Sequence, residues 1–378
     1  MLALIERIYK AAINPVKCAK EINALRFGII GAAQIAPIAL IWPARSHPEV
    51  VITAVAARDE QKARSYAKKH SIGKVYFGPT GYQQLIDDPD IDVIYIPLPN
   101  GLHFEWSSKA LLAGKHVLLE KPSTDSAEET QRLFEIAKAK GLVIMEAFHY
   151  RFHPSYLRLK EIVNSGEFGK ITSVKSELAV PAGFIKKDDI RFNYDLGGGS
   201  LMDMGVYPVS AVRNLIGSEP VSVITATHDA HIDPKIDRGV RATLEFPNDI
   251  TAEVHSDLGI PWRMGIIPRW RHIHITVKLE GGEVSLSNFP GAWIYHTITI
   301  TPKKGPKRTE KAYTLKGGKG EQWWTTYRYQ LEAFVDLVRG RTPHTVMTEE
   351  DSINQMKAVE MVYSKLGLPA RPLSKYVP

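Results

Sequence analysis

The stretch "RFGIIGAAQIAP", from Arg26 to Pro37, combines a short apolar run, a glycine and the start of a helical pattern. A strand that ends in a glycine turn at a helix N-terminus is a typical phosphate-binding turn of dinucleotide-binding folds, because free N–H groups and the positive end of the helix dipole face it. Pro37 suits the first turn of such a helix, since that position needs no backbone N–H. The stretch therefore predicts the first strand–turn–helix unit of a parallel sheet.

Downstream of this unit, short apolar runs alternate with helical patterns as far as Glu146. After "RFGII" the runs are "VVITAVAAR", "KVYF", "DVIYIPL", "HVLLE" and "LVIMEA". Helical patterns such as "DEQKARSYAKKH" and "SAEETQRLFEIAKAKG" lie between them, and Ser126 and Gly141 suit the two cap positions of the latter. Alternating strands and helices are typical of a parallel sheet that helices cover on both faces. Residues 25–150 are therefore predicted to form a Rossmann domain with a doubly wound sheet.

The hydrophobic pattern changes after about residue 150. In "HIHITVKLE", residues 272–280, apolar side chains alternate with polar ones, as in a strand with one exposed face. "RATLEF", "TAEVHSDL", "GEVSLS" and "WIYHTITI" are similar short runs, and "QWWTTYRYQLEAFVDLVRG" and "TEEDSINQMKAVEMVYSKLG" predict two final helices. The fold class is therefore α/β, in which the Rossmann domain precedes an α+β domain, residues 151–345, with an open and mainly antiparallel sheet.

The two ends of the chain lie outside these domains. Residues 1–24 predict an extra helix that breaks at Pro15 and packs on the core, since Glu6, Glu21 and the lack of serine argue against a transit peptide. Residues 346–378 predict a C-terminal helix and tail that pack back toward the Rossmann domain.

Composition narrows the class of protein and its partners. The 378 residues are 44% hydrophobic and 24% charged, ordinary for a globular protein, and no apolar run reaches the ~20 residues of a membrane helix. The single cysteine, Cys18, excludes an internal disulfide and favours a reducing, cytoplasmic location. The net charge of +7 suits an anionic cofactor, and the basic stretch 301–320 is interpreted as a solvated hairpin. We therefore expect neither nucleic acid nor a membrane as a partner.

A dinucleotide fingerprint needs three glycines in the turn after the first strand, and this chain keeps one. The three positions fall on Gly31, Ala33 and Ala36. Alanine is tolerated at the third position, whereas a methyl group at the second pushes the diphosphate outward. The turn is still predicted to bind the cofactor through Gly31, Ala32, Ala33, Gln34 and Ile35.

The end of the second strand, "AVAARDE", bears on the choice of cofactor. An acidic residue at this point accepts the ribose hydroxyls of NAD, whereas an arginine suits the 2′-phosphate of NADP. Arg58 occupies the position, and Asp59 is interpreted as the cap of the next helix. NADP is therefore the predicted cofactor.

Three motifs together resemble those of one oxidoreductase family. They are "HVLLEKPST", which contains Glu120, Lys121 and Pro122, the preceding loop "PLPNGLHFEW", and "DLGGGSLMDMGVYPVSAVRNLIG". The chain resembles the glucose–fructose oxidoreductase / inositol dehydrogenase / rhizopine catabolism (Gfo/Idh/MocA) family from residue 25 to about 370. Because Tyr207 stands where inositol dehydrogenases have histidine, it is most similar to the branch of fungal NADP-dependent D-xylose dehydrogenases and dimeric dihydrodiol dehydrogenases.

The resemblance implies an oxidoreductase that moves a hydride between nicotinamide C4 and a carbon of a sugar or cyclic alcohol. The family's motif lysine corresponds to Lys121, and its helix pair to Asp203 and Tyr207. Two departures concern the cofactor: Ala33 replaces a glycine, and Ala57 replaces a serine that often supports the arginine. Further cofactor contacts are expected after the fourth and fifth strands, at Pro97, Pro99, Asn100, His103, Glu120 and Lys121.

The residues themselves suggest how a proton is handled. Oxidation of an alcohol needs a base for its proton, and we assign that role to Tyr207 with Lys121 beside it. Lowering a phenol pKa from ~10 to neutrality requires ~3–4 kcal/mol, which an ammonium ~4 Å away supplies at an effective dielectric of ~20. Asp203 then orients a substrate hydroxyl or the lysine. In the alternative mechanism Lys121 transfers the proton itself.

Glycines 197–199 either let a ligand approach the backbone or turn the chain tightly into the helix. Ser200 and Asp203 have nearly the spacing of a capping box, which leaves a purely structural role open for Asp203. His149 and His153 have the spacing of a zinc pair, but no third ligand is evident and we expect no metal.

Several residues are candidates for the substrate side of the site. Glu146 and Arg151 either line the site or form an interdomain ion pair, and Asp189 and Arg191 are expected to contact sugar hydroxyls from the pocket loop 179–196. A regulatory sensor that binds cofactor and sugar without turnover, a carbonyl-sugar reductase and a lyase or hydrolase with transient NAD chemistry remain alternatives. A homo-oligomer through the second sheet is also expected, because exposed apolar strand faces mark association sites.

Overall fold

The structure, a computed structural model, describes residues 2–186, 188–264 and 271–378. Met1 of the predicted extension, Lys187 of the predicted pocket loop and residues 265–270 of the predicted second domain lie outside the described residues.

Six parallel strands form the first sheet, in the order β3-β2-β1-β4-β5-β6. They are β1 (Leu25–Ile30), β2 (Val50–Ala57), β3 (Lys74–Phe77), β4 (Val93–Ile96), β5 (His116–Leu119) and β6 (Ile144–Glu146). All six correspond to predicted apolar runs. Because β1 pairs with both β2 and β4, the strand order reverses beside it, and an open α/β sheet binds ligands at such a point. The predicted doubly wound sheet is confirmed.

Helices lie between these strands and cover both faces of the sheet, and further helices precede β1 and follow β6. They are α1 (Leu2–Ile8), α2 (Trp42–Arg45), α3 (Glu60–His70), α4 (Gly81–Asp87), α5 (His103–Leu112), α6 (Ala127–Lys140), α7 (Pro154–Val163), α8 (Val206–Ile216), α9 (Thr326–Val338) and α10 (Glu349–Leu366). Wider π-helical turns continue α1 at Tyr9–Ile13 and precede α2 at Pro37–Ile41 and α8 at Leu201–Gly205. Ser126 and Gly141 cap α6 as predicted.

Eight strands form the second sheet, in the order β14-β13-β12-β11-β7-β10-β9-β8. They are β7 (Ile171–Pro181), β8 (Ser222–Ala230), β9 (Asp237–Phe246), β10 (Ile250–Ile260), β11 (His272–Leu279), β12 (Gly282–Ser287), β13 (Ile298–Pro302) and β14 (Arg308–Glu310). The β7–β10 pair is parallel and the other pairs are antiparallel, so the predicted mainly antiparallel sheet is confirmed. The first half of the basic stretch, as far as Glu310, belongs to the predicted hairpin, β13–β14, whereas residues 311–320 contain no strand.

The last two helices connect the two sheets. The ring of Phe334 on α9 contacts that of Phe27 on β1, with centroids 6.0 Å apart. Glu360 on α10 accepts a hydrogen bond from the N–H of Ala127 at the start of α6. One buried apolar cluster therefore runs through both halves, and the domain boundaries predicted from the sequence stay predictions.

The N-terminal segment contacts both halves, since the N–H of Cys18 donates to the carbonyl of Arg45 at 3.1 Å and Arg7 reaches the second half. Its helical part ends at Ile13, shortly before Pro15. Arg7 donates to the carbonyl of Ile294, and its guanidinium lies 4.0 Å from the ring centroid of Tyr313. The segment thus packs on the core through a buried charged side chain as well as through apolar contacts.

The structure corrects two sequence expectations about the second sheet. In "WIYHTITI" the strand starts only at Ile298, because the ring of His296 is buried and bonds to Ala292 and Ala312, which bends the chain before the strand. The open face of the sheet is polar rather than apolar, with Glu177 between the rings of His255 and His274 at its centre.

No helix in the described ranges is long and apolar enough to cross a bilayer. In the same ranges, no group of three His, Cys, Asp or Glu side chains is suited to hold a metal ion.

Candidate active site

The turn after β1 is shaped to receive phosphate groups. Gly31 has a φ of +99°, and its N–H donates to the carbonyl of Ala56 at 2.8 Å, which fixes the turn to the neighbouring strand. In the described part of the chain, the amides of residues 32–35 have no protein acceptor, and Pro37 starts the helix directly afterwards. Free amides at a helix N-terminus attract anions, so the turn fits a dinucleotide diphosphate.

Arg58 follows β2 at the same edge of the sheet. Its side chain is exposed, and among the described residues its guanidinium has no hydrogen-bond or ion-pair partner. It lies near Tyr82, whose pKa is raised by burial and lowered in part by the charge of Arg58. Asp59 caps α3 as predicted, accepting from the N–H of Lys62 at 2.6 Å. Arg58 is therefore free to meet a 2′-phosphate.

Lys121 lies in the loop after β5, next to a cis Lys121–Pro122 bond. Its Nζ donates to Asp203 twice, to Oδ1 at 2.9 Å and to the backbone carbonyl at 2.7 Å. Arg191 donates from Nε to the other carboxylate oxygen of Asp203 at 2.8 Å, and from Nη1 to Asp189 at 2.9 Å. The predicted Lys121, Asp203, Asp189 and Arg191 therefore form one chain of alternating charges.

Asp203 is ionised in this setting. Burial opposes its charge, but the cations of Lys121 and Arg191 lower its pKa to about 2. The capping-box alternative is wrong, because Ser200 has helical backbone angles and its hydroxyl contacts Ser256. Asp203 is thus held between two cations rather than turned toward its own helix terminus.

Tyr207 lies one turn further along the same helix and on the same face. Its ring centroid is 5.2 Å from Lys121 Nζ, and its side chain is almost fully buried. The lowered phenol pKa expected from the sequence is wrong: burial and the negative charges of Glu120 and Asp203 raise the pKa of Tyr207 well above its usual value. The charge of Lys121, which is paired with Asp203, does not offset these effects, so Tyr207 is a neutral phenol at physiological pH.

The glycines before the helix serve a tight turn rather than an open ligand face. Gly197 and Gly199 have φ values of +72° and +133°, which favour glycine. Side chains at these positions would collide with the carboxylates of Asp125 and Asp237. Asp237 also accepts from the N–H of Leu201 at 2.7 Å and so holds the start of the helix that carries Asp203.

The loop after β4 lies at the same edge of the sheet and is tied to the glycine turn. Pro97 is buried, and Pro99 precedes a short turn at Asn100–Leu102. The side-chain amide of Asn100 donates to the carbonyl of Gly197 at 2.9 Å. Asn100, a predicted cofactor contact, therefore connects the two halves of the site in this structure.

Two other predicted cofactor contacts turn their side chains into the interior. The ring nitrogens of His103 lie 2.8 Å and 2.9 Å from the carbonyl oxygens of Pro122 and Leu98. Glu120 accepts from the hydroxyl of Tyr95 at 2.7 Å, and burial raises its pKa. These side chains hold the loops that carry Lys121, because each bonds to a neighbouring strand end.

Glu146 and Arg151 are not paired with each other. Glu146 accepts from the N–H of Ser123 at 2.8 Å, and burial raises its pKa to about 7. Arg151 donates to Asp351 on α10 at 2.7 Å. The alternative in which Glu146 and Arg151 form an ion pair is therefore wrong, and Arg151 pairs with a carboxylate of the last helix instead.

Sequence reasoning missed the partners of the Tyr207 hydroxyl. His149, noted there only for its spacing with His153, lies 3.0 Å from the hydroxyl through Nε2. Its Nδ1 lies 2.8 Å from the hydroxyl of Thr326. His149 lies three residues after the end of β6, and that position near the ligand-binding edge was the available signal. Nothing in the local sequence marks Thr326.

Known proteins match this chain over most of its length. The family model "Oxidoreductase family, NAD-binding Rossmann fold" matches residues 25–148, and a Gfo/Idh/MocA C-terminal domain model matches residues 156–282. A D-xylose 1-dehydrogenase (NADP+) from Haloferax volcanii is 34% identical over 345 residues, which are 90% of this chain and 96% of that protein. The chain belongs to the Gfo/Idh/MocA oxidoreductase family. It is therefore an oxidoreductase with an NAD(P)-binding Rossmann domain, as the sequence motifs predict.

Other members of the family agree with this assignment. A trans-1,2-dihydrobenzene-1,2-diol dehydrogenase from Bos taurus is 30% identical over 283 residues, 71% of this chain and 82% of that protein. A 3-ketoreductase from Actinomadura kijaniata, solved in complex with NADP and TDP-benzene, superimposes with a TM-score of 0.77 at 26% identity, covering 94% of this chain and 100% of that chain. Relatives of both predicted kinds, xylose and dihydrodiol dehydrogenases, are thus present.

Proposed function

We propose that this Gfo/Idh/MocA protein is an NADP(H)-dependent oxidoreductase that transfers a hydride between nicotinamide and a CH–OH carbon of a sugar, such as D-xylose, or of a cyclic diol. The observation that carries the proposal is the convergence of Lys121, Asp203 and Tyr207 at the ligand-binding edge of the sheet. The xylose and dihydrodiol dehydrogenases among its relatives support the substrate class, and the free Arg58 supports NADP over NAD.

Lys121, Asp203 and Tyr207 each have a different role in this proposal. Bound NADP(H) supplies the hydride donor or acceptor. Lys121, positioned by Asp203, places a positive charge beside the substrate oxygen, and Tyr207 exchanges a proton with that oxygen. A neutral phenol is ready to donate, so the resting protein is set for carbonyl reduction and reaches alcohol oxidation by the reverse path.

The proposal is tested with a spectrophotometric panel of NADP(H) and NAD(H) against pentoses, hexoses, cyclic diols and the corresponding carbonyl compounds. We expect turnover with NADP(H), and in Tyr207→Phe a kcat lowered ~100-fold or more with cofactor binding retained. Near-full turnover by Tyr207→Phe would assign proton transfer to Lys121 instead. Cofactor binding without turnover on the whole panel would favour the sensor alternative.

Two further proposals accompany this function. Association of two copies through the second sheet would bring together the polar face around Glu177 rather than an apolar one. A cytoplasmic location rests on the single cysteine alone.

A further inference from the structure

A buried histidine lies directly behind the proposed proton-transfer residue. His149 occupies the short helical turn His149–Phe152 after β6, and its ring stacks on that of Tyr327 with centroids 3.9 Å apart. Nε2 lies 3.0 Å from the Tyr207 hydroxyl and Nδ1 lies 2.8 Å from the Thr326 hydroxyl. The ring of His149 is therefore held by stacking on one face and by a hydrogen bond at each nitrogen.

The imidazole is neutral in this position. Burial, and in smaller part the charge of Lys121, lowers the pKa of His149 to about 3. A neutral ring carries one N–H, so one nitrogen donates and the other accepts. Both partners are hydroxyls, which donate or accept, so the contacts are compatible with either tautomer.

The two tautomers differ in what they leave for a substrate. If Nε2 accepts, the phenol proton of Tyr207 points into the protein, toward a ring too weakly basic to take it. If Nε2–H donates to the phenol oxygen, the phenol proton is free to face the substrate, and a phenolate formed there keeps a donor. The second tautomer alone is compatible with proton transfer by Tyr207.

We infer that His149 is a positioning residue for Tyr207, holding the Nε2–H tautomer in which it donates to the phenol oxygen while the Thr326 hydroxyl donates to Nδ1. This inference rests on the proposed function of Tyr207. In carbonyl reduction, bound NADPH would supply the hydride for the carbonyl carbon. As the C=O π bond breaks, its electron pair would take the phenol proton, so that the phenol O–H breaks and the O–H bond of the alcohol forms. The phenolate left behind accepts the N–H of His149 until solvent returns a proton.

Other titratable groups also face this pair of side chains. Lys121 lies over the Tyr207 ring, and Glu120 and Asp203 face the phenol from the β5 loop and its own helix. The phenols of Tyr327 and Tyr150 face it from α9 and from the turn that carries His149. These neighbouring groups are the same in every variant at His149 or Thr326. A difference in kcat or pH profile between those variants therefore reports the hydrogen bond between His149 and the Tyr207 hydroxyl.

Two substitutions at His149 separate the hydrogen bond from packing. His149→Phe keeps a ring against Tyr327 and removes both nitrogens, whereas His149→Gln returns an N–H donor near the place of Nε2. We expect His149→Phe to lower kcat about 10- to 100-fold, the size of a lost hydrogen bond to a charged group, with little change in KM. The limb of the kcat–pH profile that reports the phenol moves to higher pH in His149→Phe. His149→Gln is expected to restore most of the kcat and most of the original pH profile.

Thr326→Val removes the hydroxyl that fixes the tautomer, and Thr326→Ser is its matched control because it retains that hydroxyl. Thr326→Val lowers kcat in the same direction as His149→Phe, and Thr326→Ser stays near the wild-type value. A nitrogen-15 spectrum of histidine-labelled protein, assigned by difference from His149→Phe, is expected to show Nε2 protonated. The opposite tautomer overturns the inference without any activity measurement.

The outcomes distinguish this inference from the function it rests on. If Tyr207→Phe keeps full turnover, Lys121 rather than Tyr207 transfers the proton, and the inference about His149 is wrong although the protein is still an oxidoreductase. If Tyr207→Phe is inactive while His149→Phe keeps its kcat and pH profile, or loses only thermal stability, the proposed function stands and the inference is wrong.

Discussion

We propose that Arg58 is the residue that decides between the two nicotinamide cofactors. It is exposed after β2, and no described residue neutralises it. A charge-assisted contact with a 2′-phosphate contributes ~1.5–3 kcal/mol, so Arg58→Ala is expected to raise the KM for NADP about 10- to 100-fold and leave the KM for NAD unchanged. Arg64→Ala is the control, because Arg64 is a nearby exposed arginine already paired with Glu60 at 2.8 Å. Equal effects of the two substitutions on NADP would contradict the assignment.

At the same scale, the sequence identifies the residues that a local motif marks. Lys121 stands in a strand-end motif, and Asp203 and Tyr207 are one helical turn apart, so their convergence follows from local pattern and the edge rule of parallel sheets. The contact between His149 and Thr326 joins residues 177 positions apart. Nothing in the local sequence predicts this contact. Nor does it predict that Tyr207 is buried, and burial is what raises the pKa of its phenol.

Among the elements, the glycine turn and the helix after it position Asp203. A Cβ at Gly199, whose φ is +133°, would collide with Asp237 and Arg371, a buried ion pair. Gly217, at the other end of the same helix, has a φ of +75° and open space around a Cβ. Gly217→Ala is expected to cost ~1–2 kcal/mol of unfolding free energy through backbone strain alone.

Gly199→Ala is expected to cost more than Gly217→Ala and to lower kcat as well, because the collision displaces the start of the helix that carries Asp203. Urea denaturation and steady-state kinetics on both variants measure the two effects. Equal stability losses, or an unchanged kcat in Gly199→Ala, would show that the turn does not position the carboxylate.

Element prediction succeeded where hydrophobic period and caps agree, and failed where a side chain overrides them. Each strand of the first sheet falls on its apolar run, and Ser126 and Asp59 cap their helices as expected. The run before Ile298 has strand periodicity, but the two bonds of buried His296 break it. Side-chain bonds of this kind depend on neighbours that are distant in sequence.

In the whole molecule, the two halves meet around buried carboxyl groups. Asp125, in the loop that follows Lys121, lies against Gly197 of the glycine turn, and burial together with Glu129 raises its pKa to about 7. Glu146 lies at the end of β6 with its pKa raised to a similar value by burial. One carboxyl group thus lies in the loop after β5 and the other at the end of β6, so both lie near the ligand-binding edge of the first sheet.

The raised pKa of Asp125 predicts how global stability depends on pH. Its carboxyl has a pKa near 3.9 in the unfolded chain and about 7 when folded, so the folded state holds a proton that the unfolded state releases between these values. The stabilisation is complete below pH ~4 and is lost as pH rises to ~7, at ~1.4 kcal/mol for each pH unit. Asp125→Asn removes this dependence, so the unfolding free energy of the variant relative to wild type increases from pH 5 to pH 7 and is constant above.

Urea denaturation at stepped pH measures the difference, and Asp195→Asn, at an exposed carboxyl in the adjoining turn, is expected to leave the slope unchanged. Parallel curves for wild type and Asp125→Asn would show that Asp125 is ionised in the folded protein and that its burial is compensated by contacts such as ordered water.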